Sequence, residues 1–143
     1  MRNPLDPPEI LLLGPGPSNP HPDVSAAMAA PLVSHLDPFF LTVMEETMTD
    51  LRSLFQTTNH HTIPISATGT GGLETIIFNL VEPGDEVIVG VIGFFGQRLA
   101  ELATAAGASI RLVEAPWGEI IEPDRIAEEF QRGPAKLVAL VHA

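Results

Sequence analysis

The stretch with the clearest chemical potential is Ser66-Ala67-Thr68-Gly69-Thr70-Gly71-Gly72-Leu73-Glu74. It follows a short β-prone run, Thr62-Ile63-Pro64-Ile65, and leads into Leu73–Val81, which has the pattern of a helix. A strand, a small-residue turn and a helix N-terminus together make an anion site. The first helical N–H groups have no intrahelical acceptor, the helix dipole favours negative charge, and glycines let the backbone approach a ligand closely. Thr68 and Thr70 add hydroxyl donors. The guest that suits this loop is a phosphate ester. The loop has neither the lysine of a Walker A sequence nor the spacing of a G-x-G-x-x-G dinucleotide turn. A packing turn between strand and helix is the other reading of the same residues.

Few other residues offer chemistry. Gly14-Pro15-Gly16-Pro17-Ser18-Asn19 alternates glycine and proline, which stiffens the backbone and suits it to presenting the N–H groups of Gly14 and Gly16. It serves equally well as a plain connection. His60-His61 has no carboxylate or cysteine neighbour at ligand spacing, so no metal site is expected. With no cysteine in the 143 residues, disulfides and thiolate chemistry are excluded. The net charge of −11 and the single lysine, Lys136, argue against a nucleic-acid partner. No apolar run approaches the roughly 20 residues of a membrane helix, and the start lacks a signal-peptide core. A cytoplasmic protein without membrane contact is expected.

The elements that must position these residues follow from hydrophobic periodicity. Asp23–Ala30 reads as a short helix. From Pro38 to Phe55, Phe40, Val43, Met44, Met48, Leu51, Leu54 and Phe55 recur at helical spacing, a stripe expected to be core. After the glycine-rich loop come a turn at Glu82-Pro83-Gly84-Asp85, a strand at 86–91, then Gly93-Phe94-Phe95-Gly96. A helix is expected from Gln97 to Ala106, stopped by Gly107. A strand at Ser109–Val113, a turn at Pro116-Trp117-Gly118, a helix at Pro123–Gln131 and a strand at Lys136–His142 complete the chain. Strands alternating with helices indicate an α/β fold with a parallel sheet, and ligands on such sheets sit at the carboxyl ends of the strands. The glycine-rich loop, Gly93–Gly96 and His142 all fall at such ends. No helix closes the last strand, so the chain reads as an incomplete domain.

Taken together, Leu12-Leu13-Gly14-Pro15-Gly16-Pro17-Ser18-Asn19, Ser66–Glu74, Glu82-Pro83-Gly84-Asp85, Gly93-Phe94-Phe95-Gly96-Gln97-Arg98 and Leu140-Val141-His142 resemble the N-terminal part of a class V aminotransferase. The similarity is greatest to the alanine–glyoxylate and serine–glyoxylate (serine–pyruvate) enzymes, and it extends over nearly the whole chain in matching order and spacing. It implies the N-terminal part of the family's large domain, a mainly parallel sheet flanked by helices. Residues 1–22 would form an arm and substrate-side loop, and 23–143 an incomplete large domain that binds pyridoxal 5′-phosphate (PLP). The resemblance implies that Thr68, Gly69 and Thr70 hold the cofactor phosphate. Phe95 would stand where the family often has a tryptophan stacked on the pyridine ring. Phenylalanine keeps the flat apolar face and loses the indole N–H. Gly14 and Gly16 would line the substrate side, and His35 resembles a histidine found in part of the family.

The implied reaction is transamination between alanine or serine and glyoxylate or pyruvate, in a homodimer. It requires a Schiff-base lysine, an acid for the pyridinium nitrogen and usually an arginine for the substrate carboxylate. In the family these lie beyond position 143. Lys136 opens the last strand at the end away from ligands, and Asp85 and Asp124 fall in turns that do not match. The segment is therefore expected to contain no catalytic residue and to be inactive alone. A desulfurase or lyase of the same superfamily is one alternative. A non-catalytic phosphate-binding or dimer-interface module is the other. In the family's sheet the strand expected at 62–66 stands apart from the strands at 86–91, 109–113 and 137–142.

Overall fold

A computed structural model describes residues 7–142. The chain divides into two compact units, Met1–Pro64 and Ile65–Ala143. In the first, helices α1 (Pro22–Met28) and α2 (Pro38–Leu54) each begin with proline, whose fixed φ and missing N–H suit a first turn. Asp37 caps α2, its Oδ1 accepting from the Phe39 N–H at 2.9 Å. The apolar stripe of α2 does not form a buried core. Phe40, Met44, Met48 and Leu51 are half-buried, while Val43, Leu54 and Phe55 are exposed. Periodicity predicts which face is apolar, not whether its own unit supplies a partner for it.

The second unit holds helices α3 (Gly69–Leu80), α4 (Phe94–Ala105) and α5 (Pro123–Gln131) and strands β1 (Glu86–Val91), β2 (Ser109–Glu114) and β3 (Leu137–Ala139). The sheet is parallel throughout, in the order β2-β1-β3. β1 is central and fully covered, so it reads as the near-continuous apolar run Val87-Ile88-Val89-Gly90-Val91. Alternation along it separates two faces. Val87, Val89 and Val91 join Ile77 and Val81 near the end of α3 and Leu99, Ala100, Leu102 and Ala103 of α4 in one buried cluster.

Ile88 points the other way, and its register partner on β2 is Arg111. There Arg111 ties down the end of α5. Its guanidinium donates to the carbonyls of Glu129, Gly133 (3.2 Å) and Pro134 (2.7 Å), and its Nε lies 3.1 Å from the Glu86 carboxylate. A cation beside the last carbonyls of a helix complements the negative end of its dipole.

Between elements, Gly84 and Gly107 take positive φ, 91° and 88°, and the Gly84 N–H donates to the Gly107 carbonyl at 2.8 Å. This backbone pair joins the turn before β1 to the turn before β2, which sets the register from Glu86↔Ser109 onward.

Three expectations need correction. Residues 62–66 form no strand, although, as expected of them, they pair with none of β1–β3; Pro64 lacks a donor, and an extended segment without a ladder partner is not a strand. β3 is shorter than 136–142, its ladder ending at Val89↔Ala139. Both α3 and α4 start earlier than their compositions suggest, because Thr68 and Gly93 take the N-cap positions and the glycines that follow are already helical.

Candidate functional site

The N-terminus of α3 is built from the residues singled out by sequence. Thr68 is its N-cap, in extended conformation, and its Oγ1 accepts from the Gly71 N–H at 3.3 Å. The Gly72 N–H donates to the Thr68 carbonyl at 3.0 Å. That leaves the N–H groups of Gly69 and Thr70 without acceptors among the described residues. Accepting from Gly71 occupies one lone pair of the Thr68 hydroxyl and leaves its proton available to an outside acceptor. Space permits one: a side-chain carbon built at Gly69 or at Gly72 would meet nothing within 4 Å. At Gly71 it would lie 2.9 Å from Ala67 Cβ, so that glycine is required by packing within the loop. Two free N–H donors, a hydroxyl donor and the positive end of a 12-residue helix fit a phosphate ester.

A second feature of the same unit is a cleft of about 880 Å³ beyond the carboxyl end of β1. Phe94, Phe95, Trp117, Ile121, Leu140 and His142 are among the residues that line it. Phe95 stands at the second position of α4 with 46 % of its surface open. Its ring packs edge-on against Phe94, centroids 5.3 Å apart, and Arg98 lies over the Phe94 ring at 5.8 Å. A half-open phenyl face at a strand terminus suits a flat heterocycle. Thr68, Gly69 and Thr70 do not line this cleft; they belong to α3, which packs beside α4.

Gly14 and Gly16 lie in the first unit, in an exposed bend. Sequence reasoning missed what shapes that bend. The Asn19 side chain accepts from the Leu12 N–H at 2.7 Å and donates to the Ile10 carbonyl at 2.9 Å, clamping the two ends of the Gly-Pro run. An asparagine closing a Gly/Pro turn is the available signal. Trp117 was also missed as a lining residue, since its turn gave no hint that the indole would lie beside Gly93. Indole Cε2 and Cζ2 sit 3.7 Å from where a side chain at Gly93 would begin. His35 is exposed in a turn, and among the described residues no group of three or more His, Asp or Glu could hold a metal ion. Nor is any helix there long and apolar enough to cross a membrane.

A small parallel sheet flanked by helices, with an open helix N-terminus and an aromatic cleft at its strand ends, is an α/β fold of the kind seen in solved aminotransferases. The aminotransferase class-V family model matches residues 23–143, and the chain belongs to that family. It is 38 % identical over 131 residues to the (S)-ureidoglycine–glyoxylate transaminase of Bacillus subtilis, covering 92 % of this chain and 32 % of that protein. It is 37 % identical over 142 residues to the alanine–glyoxylate aminotransferase of Mus musculus, covering 99 % of this chain and 34 % of the relative. Among solved structures, an alanine–glyoxylate aminotransferase from Nostoc sp. superposes with a TM-score of 0.90 at 46 % identity, over 100 % of this chain and 38 % of that one. The chain thus spans about a third of the length of the curated relatives it matches.

Proposed function

We propose that this chain is the N-terminal, cofactor-holding portion of a PLP-dependent aminotransferase that moves an amino group between alanine or serine and glyoxylate or pyruvate. The observation that carries the reading is the α3 N-terminus, where two unpartnered N–H groups and a hydroxyl proton converge on open space. The names of the relatives, which transfer amino groups with glyoxylate, support the choice of acceptor.

In this reading PLP supplies an electron sink that stabilises negative charge at the α-carbon of the amino donor. The chain's own residues bind and orient. The N–H groups of Gly69 and Thr70 and the hydroxyl of Thr68 donate to the phosphate oxygens, with Thr70 Oγ1 a further donor. Phe95 covers one face of the ring and keeps water from it. Gly14 and Gly16 offer N–H groups to a substrate carboxylate. Residues 1–22 act as the arm and 23–143 as part of the large domain, in a cytoplasmic homodimer. Exposed apolar side chains such as Leu13 and Phe55 offer surface for further protein to cover.

The sole lysine is placed for structure. Lys136 Nζ is 3.8 Å from Asp85 Oδ2, and its N–H donates to the Glu86 carbonyl at 2.7 Å, at the amino end of the sheet. Phe95 follows the opposite end of β1. In this reading the Schiff-base lysine is supplied from outside these residues, and the segment alone does not transaminate. The test is an assay of the complete protein with alanine or serine and glyoxylate: glycine should form. Release of sulfide from cysteine with no glycine formed would instead favour a desulfurase.

A further inference from the structure

The aromatic wall of the cleft depends on how closely the first turn of α4 approaches β1, and Gly96 is the point of closest approach. It is buried. A side-chain carbon there would lie 2.9 Å from the Gly90 carbonyl oxygen and 2.9 Å from Val91 Cα, with Val91 Cβ at 3.5 Å. The two near atoms are backbone of the central strand, and that backbone is laddered to β2 through Gly90↔Val113 and Val91↔Glu114. A flexible side chain could swing aside; a strand held in a sheet does not.

The neighbouring glycines differ. At Gly93 an added carbon would make only ordinary contact, 3.7 Å, with Trp117. At Gly90 it would strike side-chain ends, Leu140 Cδ2 at 2.2 Å and Ile121 Cδ1 at 2.7 Å. Of these three, Gly96 alone is obstructed by backbone. Any larger residue at 96 must push the first turn of α4 outward, and Phe95 is carried on that turn.

We infer that Gly96 is a positioning residue for Phe95: its missing side chain seats the first turn of α4 on β1 and so fixes the height of the Phe95 ring at the cleft. The inference rests on the proposed reading, in which that ring face meets the heterocycle of PLP. It assigns to the second glycine of Gly93-Phe94-Phe95-Gly96 a role in cofactor affinity exerted without touching the cofactor.

The test uses the complete protein with Phe95→Ala, Gly96→Ala, the double variant and Leu102→Ala. The last loosens the buried side of the same helix away from its first turn. PLP affinity is read by spectroscopic titration, and the Gly96→Ala protein is crystallised. The expected result is a first turn displaced from β1 and an affinity about tenfold weaker for each of Phe95→Ala and Gly96→Ala. The double variant should be no weaker than Phe95→Ala, and Leu102→Ala should bind as the parent does. Additive losses in the double variant, or an unmoved first turn, would overturn the inference while leaving the role of Phe95 intact. A Gly96→Ala protein that fails to fold while Leu102→Ala folds would also overturn it, since the clash would not then be absorbed by the first turn. An affinity insensitive to Phe95→Ala would overturn the ring-face reading and the role of Gly96 with it.

Discussion

The two units of this chain are built on different terms. Among the described residues, every buried hydrophobic side chain lies in the second unit, from Ile77 to Val113, and the first unit has none. The first unit is held by local devices: prolines that open α1 and α2, the Asp37 cap, and the Asn19 clamp on the Gly-Pro bend. The second is held by a laddered sheet with helices packed against it. Local devices define a conformation at about 0.5–2 kcal/mol each, whereas burying one large aliphatic side chain contributes about 1.5–3 kcal/mol. The residues read as cofactor ligands, Thr68, Gly69, Thr70 and Phe95, all belong to the unit with the core. Precise placement of donors and a ring face needs a frame that does not yield, and only the second unit has one of its own.

The comparison is broken most sharply by core truncation. Ile88 is fully buried, so Ile88→Ala should cost about 2–5 kcal/mol in a urea titration. Leu32, 100 % exposed, should change stability by no more than about 0.5 kcal/mol when replaced by alanine. Equal losses at the two positions would show that the first unit has a core comparable to the second. A smaller effect is expected at Arg111. Arg111→Ala strips donors from the carbonyls of Glu129, Gly133 and Pro134 and should cost about 1–3 kcal/mol, with amide hydrogen exchange accelerating first at the end of α5. Unchanged exchange there would mean that α5 is held by its side-chain packing alone.

How much of this was legible in the sequence varied with the range of the interaction. The span of α5 was readable because Pro123 opens it and the apolar spacing is clean. The strand at 86–91 was readable from its β-branched run, and Gly107 from its place after a helix, where its φ is +88°. The starts of α3 and α4 were obscured by Gly69, Gly71, Gly72 and Gly96, since low helix propensity hid residues that capping and packing hold in helical form. The strand expected at 62–66 failed because β-propensity does not reveal whether a partner strand is present. Arg111 reaches acceptors 18 to 23 residues away, and Trp117 meets Gly93 across the cleft. No local pattern encodes either contact. For the candidate site, residue types alone marked 68–70 as donors beside a helix N-terminus, where the Thr68 cap now stands, but the clearance at Gly96 emerges only once β1 and α4 are packed.

The central claim is that the α3 N-terminus of the packed unit grips the phosphate of PLP, and the affinity of the complete protein for PLP with Thr68→Val tests it most directly. Valine keeps the shape of threonine and removes the hydroxyl that donates outward while accepting from Gly71. Hydrogen bonds to a charged group contribute about 1.5–3 kcal/mol, so the dissociation constant should rise by about tenfold or more. Inorganic phosphate should compete with PLP less well in the variant than in the parent. An unchanged dissociation constant, in a variant that still folds, would contradict the account.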